Sequence, residues 1–190
     1  MKRIVIFASG SGSNAENIIK YFRDTKTAIV TKVLCNNKNA FVFERCKNLE
    51  IDCLYFSKHD FLMSDIVLEL VKKNADYIVL AGFLLKIPKS LVEAYPNKII
   101  NIHPALLPKY GGKGMYGIHV HNAVKENNEP ETGITIHFVN ENYDEGAIIF
   151  QAKTPVFKED SPSDIASKVH MLEYRYFPRV IEDVILKVND

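Results

Sequence analysis

Two short runs in this chain, Ile4-Val5-Ile6-Phe7 and Tyr77-Ile78-Val79-Leu80, are apolar at every position. A strand with one wet face alternates apolar and polar residues; these runs do not, so both faces of the sheet they form must be covered. Strands are expected at residues 3–8, 29–35, 53–56, 77–81 and 98–102, with helical patterns over 15–23, 41–49 and 60–73 between them. That alternation is the pattern of a parallel sheet wrapped by crossover helices. The second half changes character. Residues 132–139 and 146–153 read as consecutive strands joined by a turn at 140–145, a pair that can run antiparallel and make the sheet mixed. A closing helix is expected over 163–187, with Ser161-Pro162-Ser163-Asp164 as its start signal.

The fold class that follows is α/β: a mostly parallel, Rossmann-like sheet with helices on both faces and an antiparallel C-terminal strand pair. A chain of 190 residues suits one such domain, residues 1–190, and neither an internal repeat nor a linker interrupts it. The net charge of +1 provides no global field for nucleic acid or an anionic membrane, so any phosphate site must be local. The apolar run after Met1-Lys2-Arg3 stops after five residues, which reads as a strand rather than a secretory segment. No apolar run approaches the roughly 20 residues that span a bilayer. Cys35, Cys46 and Cys53 are odd in number and contain no Cys-x-x-Cys pair; they read as buried thiols of a cytoplasmic protein rather than a disulfide framework or zinc site.

Three loops carry chemistry. The first, Ser9-Gly10-Ser11-Gly12-Ser13-Asn14, joins the first strand to the first helix, where freely bending glycines and open amides make an anion site. Its Gly10-x-Gly12-x-x-Ala15 spacing also matches a dinucleotide fingerprint, but that reading wants an acid after the second strand, where this chain has Cys35-Asn36-Asn37-Lys38. A single phosphate is favoured over a dinucleotide, with a plain turn as the remaining reading. The second is Ile99-Ile100-Asn101-Ile102-His103-Pro104-Ala105-Leu106-Leu107-Pro108, a buried strand ending in an amide and an imidazole before two prolines. A lone histidine at a strand end is more often structural. Asn101 beside it and Asp144, in the later turn Asn142-Tyr143-Asp144-Glu145-Gly146, favour acyl transfer between amines: an oxyanion donor, a proton carrier and a carboxylate to tune that carrier. The third, residues 109–117, holds four glycines and reads either as a lid over substrate or as a flexible surface loop. His119, His121 and His137 lack the companions of a metal set, so no metal is expected.

These motifs, with Leu80-Ala81-Gly82-Phe83, His137-Phe138-Val139 and Asp144-x-Gly146, resemble the 10-formyltetrahydrofolate-dependent formyltransferases along essentially the whole chain. The Gly-Ser-Asn phosphate loop is similar to that of the phosphoribosylglycinamide branch. The resemblance implies formyl transfer from 10-formyltetrahydrofolate to the amine of glycinamide ribonucleotide, in purine synthesis, with no metal. It implies Asn101, His103 and Asp144 as the catalytic residues. Asn101 would donate to the oxyanion of a tetrahedral intermediate, and His103 would stabilise that oxyanion and move protons. Asp144 would raise the His103 pKa and hold a relaying water. Gly10, Ser11, Gly12, Ser13 and Asn14 would grip the phosphate, and Glu173 would hydrogen-bond the ribonucleotide. Folate would lie against Phe83, Leu84, Leu85, Val139, Asn140 and Asp144. Residues 1–100 would then be the ribonucleotide half and 101–190 the catalytic and folate half of a monomer or homodimer. Where many relatives place a basic residue, this chain has Leu85, followed by Lys86, and its glycine loop is longer than the common form. Other readings are a methionyl-tRNA or sugar-nucleotide formyltransferase, a formyl-folate hydrolase, and a non-catalytic phosphate-ligand-binding module. The tRNA enzyme and the hydrolase carry extra domains for which this chain has no room.

Overall fold

A computed structural model describes residues 1–187. Its strands are β1 (Lys2–Ala8), β2 (Ala28–Cys35), β3 (Cys53–Tyr55), β4 (Tyr77–Leu80), β5 (Ile99–His103), β6 (Glu131–Phe138) and β7 (Ile148–Pro155). They form one sheet in the order β3-β2-β1-β4-β5-β6-β7. The first five are parallel; β6 runs antiparallel to β5, and β7 antiparallel to β6. The expected antiparallel pair is present, and the change of direction already occurs between β5 and β6. Helices are α1 (Ser13–Thr25), α2 (Val42–Asn48), α3 (Lys58–Leu62), α4 (Ile66–Asn74), α5 (Lys89–Ala94), α6 (Ile118–Glu126) and α7 (Pro162–Lys187).

The two-residue period of β1 splits the core in two. Ile4, Ile6 and Ala8 pack with Ile18, Ile19 and Phe22 of α1 and with Val169, Phe177 and Ile181 of α7. Val5 and Phe7 face the other way, against Phe61 of α3, Val67 and Val71 of α4 and Leu91 of α5. Both faces of β1 and β4 are therefore buried, as their unbroken apolar runs require. Each fully buried Ile or Phe contributes about 1.5–3 kcal/mol relative to exposure, so the two layers rather than helix propensity hold the sheet.

One expected helix is two. Residues 60–73 break at Met63-Ser64-Asp65, where the Ser64 hydroxyl donates to the Asp60 carbonyl and its oxygen accepts from the Ile66 N–H. A serine that satisfies backbone groups locally gives the chain a turn in place of a continuous helix. α5 and α6 lie outside the segments that periodicity predicts; α5 has only six residues and α6 nine. Among the described residues no helix is long and apolar enough to cross a membrane.

Parallel strands deliver their following loops to one edge. The order changes direction between β1 and β4, so the loops after them diverge and leave a crevice, the usual place for a ligand in an open α/β sheet. Ser9 ties that edge together: its N–H donates to Gly82 O (3.0 Å), its hydroxyl donates to Asn36 Oδ1 (2.6 Å), and its oxygen accepts from the Leu84 N–H (3.0 Å).

Candidate active site

The crevice is a cavity of about 920 Å³. All five phosphate-loop residues, Gly10, Ser11, Gly12, Ser13 and Asn14, line it, together with Asn101, His103, Asp144 and Glu173. Gly12 precedes α1 in a left-handed conformation (φ 74°), and a Cβ there would strike Val42 at the start of α2. No side chain caps α1, so its first-turn amides stay open to an anion at the positive end of the helix dipole. Arg45 supports the loop from behind: its Nε–H donates to Ser11 O (2.9 Å), and its guanidinium pairs with Glu16.

Asn101 and His103 sit two residues apart on β5 and point to the same side, both reaching the cavity. His137 of β6, opposite Asn101 in the register, stands behind the amide instead of facing the cavity. Its Nδ1–H donates to Phe138 O (2.8 Å), so its Nε2 lone pair accepts from Asn101 Nδ2 (3.1 Å). That pairing fixes which end of the Asn101 amide is the donor and leaves the second Nδ2 hydrogen free.

His103 is 4% exposed. Its Nε2–H donates to Tyr110 O (2.7 Å), and Nδ1 lies 3.6 Å from Asp144 Oδ2. Burial pushes its pKa down, and this outweighs the rise from Asp144 and the Tyr110 carbonyl. The carboxylate thus acts with the expected sign, and desolvation of the ring sets the net direction. Asp144 has its own balance. Burial alone would raise it, but the imidazolium forms of His137 and His103, with the Gly112 N–H (2.9 Å), hold it below the usual carboxylate range. Gly146 makes the turn possible, since a Cβ there would collide with Phe138 O of β6.

His103 thus presents Nδ1 to the Asp144 carboxylate while its Nε2 is held by the Tyr110 carbonyl. A proton arriving at Nδ1 would form an imidazolium held between Asp144 and the Tyr110 carbonyl. Removing the Asp144 charge lowers the His103 pKa further, so in Asp144→Asn the acid limb of the kcat/KM profile, governed by an unprotonated base, is expected to move to lower pH while the plateau falls. A profile that coincides with wild type contradicts this coupling.

Glu173, on α7, joins the phosphate loop across 159 positions: its Oε2 accepts from Asn14 Nδ2 (2.8 Å) and from His170 Nδ1 (3.0 Å). Of the expected folate residues, Phe83 and Leu84 line the cavity with Asp144. Leu85 and Val139 instead pack on the second core layer, and Asn140 is exposed, accepting from the Asn142 N–H (2.9 Å). Tyr143 and His121 also reach the wall, as does His170, which is absent from the sequence reading. The His-x-His spacing drew attention to His121 only as a metal ligand. In the fold its ring is buried, whereas His119 is exposed against Tyr116, so the two rings do not converge. The glycine-rich loop lies along the cavity from Gly112 to Gly117 and leads into α6.

An open anion loop and a buried amide–imidazole–carboxylate centre thus share one cavity. The chain belongs to the formyl transferase family, whose profile matches residues 2–181. It is 40% identical over 187 residues to the chloroplastic phosphoribosylglycinamide formyltransferase of Arabidopsis thaliana, a match that covers 95% of this chain and 64% of that protein. The phosphoribosylglycinamide formyltransferase of Haemophilus influenzae is 35% identical over 188 residues, covering 96% of this chain and 86% of the relative. The chain thus spans under two thirds of the plant relative and most of the bacterial one. Among solved structures, glycinamide ribonucleotide transformylase 1 from Symbiobacterium toebii superposes with a TM-score of 0.89 at 30% identity, covering 98% of this chain and 89% of that one.

Proposed function

We propose that this chain transfers the formyl group of 10-formyltetrahydrofolate to the amine of glycinamide ribonucleotide, releasing formylglycinamide ribonucleotide and tetrahydrofolate in purine synthesis. The observation that carries the reading is that the uncapped α1 N-terminus and the Asn101–His103–Asp144 centre line one cavity. A substrate held by its phosphate at the first extends its amine toward the second.

Each step then has a residue. Open amides at residues 10–14 take the phosphate, and Glu173, held by Asn14 and His170, keeps Oε1 available to the ribonucleotide. Phe83, Leu84 and Tyr143 offer apolar lining to the folate ring system. As the amine attacks the formyl carbon, the carbonyl oxygen gains charge, and the free Nδ2 hydrogen of Asn101 stabilises it. The amine loses a proton to His103 Nδ1, and the imidazolium is stabilised by Asp144. The same proton passes to the departing folate nitrogen as the carbon–nitrogen bond breaks, which restores neutral His103.

The acceptor is tested with product analysis by mass spectrometry. Formylated ribonucleotide is expected from glycinamide ribonucleotide and none from a sugar-nucleotide amine; the reverse preference overturns the assignment. The phosphate placement has its own test. Ser13→Glu brings a carboxylate to the first residue of α1, and like charges a few ångströms apart in a partly screened site cost about 1–4 kcal/mol. Titration calorimetry should show ribonucleotide affinity reduced by about tenfold or more; unchanged affinity contradicts the placement.

A further inference from the structure

His121 is a buried polar side chain that the transfer chemistry leaves unused. It is 5% exposed, sits on α6 and lines the active cavity. Its Nδ1 is sealed from solvent without a partner, and Nε2 makes no hydrogen bond to any described residue and is not sealed. A charged ring would bury an Nδ1–H with no acceptor, as would the neutral tautomer protonated at Nδ1. The remaining form carries its proton on Nε2 and presents a single fixed donor to the cavity. Burial also pushes the His121 pKa down, against Glu173, which raises it; His103 adds to the lowering. The ring shares the cavity lining with both Glu173 and His103.

Resting on the formyl-transfer reading above, we propose that His121 is a specificity-determining residue whose Nε2–H donates to the amide carbonyl of the glycinamide moiety. With the phosphate fixed at the α1 N-terminus and the amine at His103, the portion of the substrate that must pass between Glu173 and His103 is its middle. That portion carries one strong neutral acceptor adjacent to the reacting carbon chain, the amide oxygen. A neutral donor there selects an amine one carbon from a carbonyl. It leaves an acceptor without that oxygen facing an unpaired buried N–H, the arrangement by which polar sites reject analogues most strongly.

The test uses two acceptors: glycinamide ribonucleotide and its analogue with the amide carbonyl reduced to a methylene. Wild type is expected to favour the first. His121→Phe, which fills the space without a donor, should raise KM for glycinamide ribonucleotide about tenfold, leave KM for the folate unchanged, and lower KM for the methylene analogue, which no longer strands the N–H. His121→Gln, whose amide N–H has a similar reach, should restore most of the discrimination. Should the Phe variant fail to fold, the same comparison is made with His121→Ala. Equal losses on both acceptors, or no loss on either, overturn the assignment. A wild-type protein that formylates neither acceptor instead overturns the transfer reading on which it rests.

Discussion

His103→Ala is expected to lower kcat by about 10²–10⁴-fold while KM for the ribonucleotide changes by a few-fold at most. The range is that of a positioned general acid–base, which acts on the transition state and contributes little to ground-state binding. The split between the two constants is the informative part. His103 Nδ1 faces the carboxylate of Asp144, and its Nε2–H is committed to the Tyr110 carbonyl, so its free capacity is for protons rather than for holding substrate. Steady-state kinetics with each substrate varied in turn checks this. A rise in KM with kcat retained would make His103 a binding residue and refute its role in proton transfer.

Asn101→Ala carries the second large effect, a loss of about 10²–10³ in kcat, the usual cost of removing one oxyanion donor. The structure adds a coupled partner. Because His137 Nε2 accepts from Asn101 Nδ2, it determines which amide atom can reach the oxyanion. His137→Phe should therefore reduce kcat in the wild-type background and do little once Asn101 is alanine. Residues acting as a unit behave non-additively in this way. Simple additivity of the two losses would mean that His137 does not orient the amide.

Much of this centre was legible in the chain. An apolar strand that ends in Asn101 and His103 before two prolines places both groups at a rigid sheet edge. The glycines of residues 10–14 mark a tight turn into a helix, and α1 begins there uncapped. What period and propensity cannot express is approach between distant segments. Glu173 reads as a helix-surface glutamate until α7 lies across the sheet and brings it to Asn14. Likewise the His-x-His spacing gives His121 no role until α6 buries it in the cavity wall and leaves His119 exposed. The residues expected at a folate slot separate for the same reason. Phe83 and Leu84 reach the cavity, but Leu85 turns into the second core layer. The direction of the His103 pKa also depended on burial, which composition does not reveal.

The central claim is transfer to a ribonucleotide amine, and the most direct measurement is spectrophotometric. Purified protein is mixed with a 10-formyl folate donor, with and without glycinamide ribonucleotide, and release of the deformylated folate is followed. Release only when the ribonucleotide is present is the predicted result, because the proton taken by His103 comes from the attacking amine. Release at the same rate without any acceptor would show hydrolysis, and no release in either case would show that this acceptor is not used; each contradicts the proposed function.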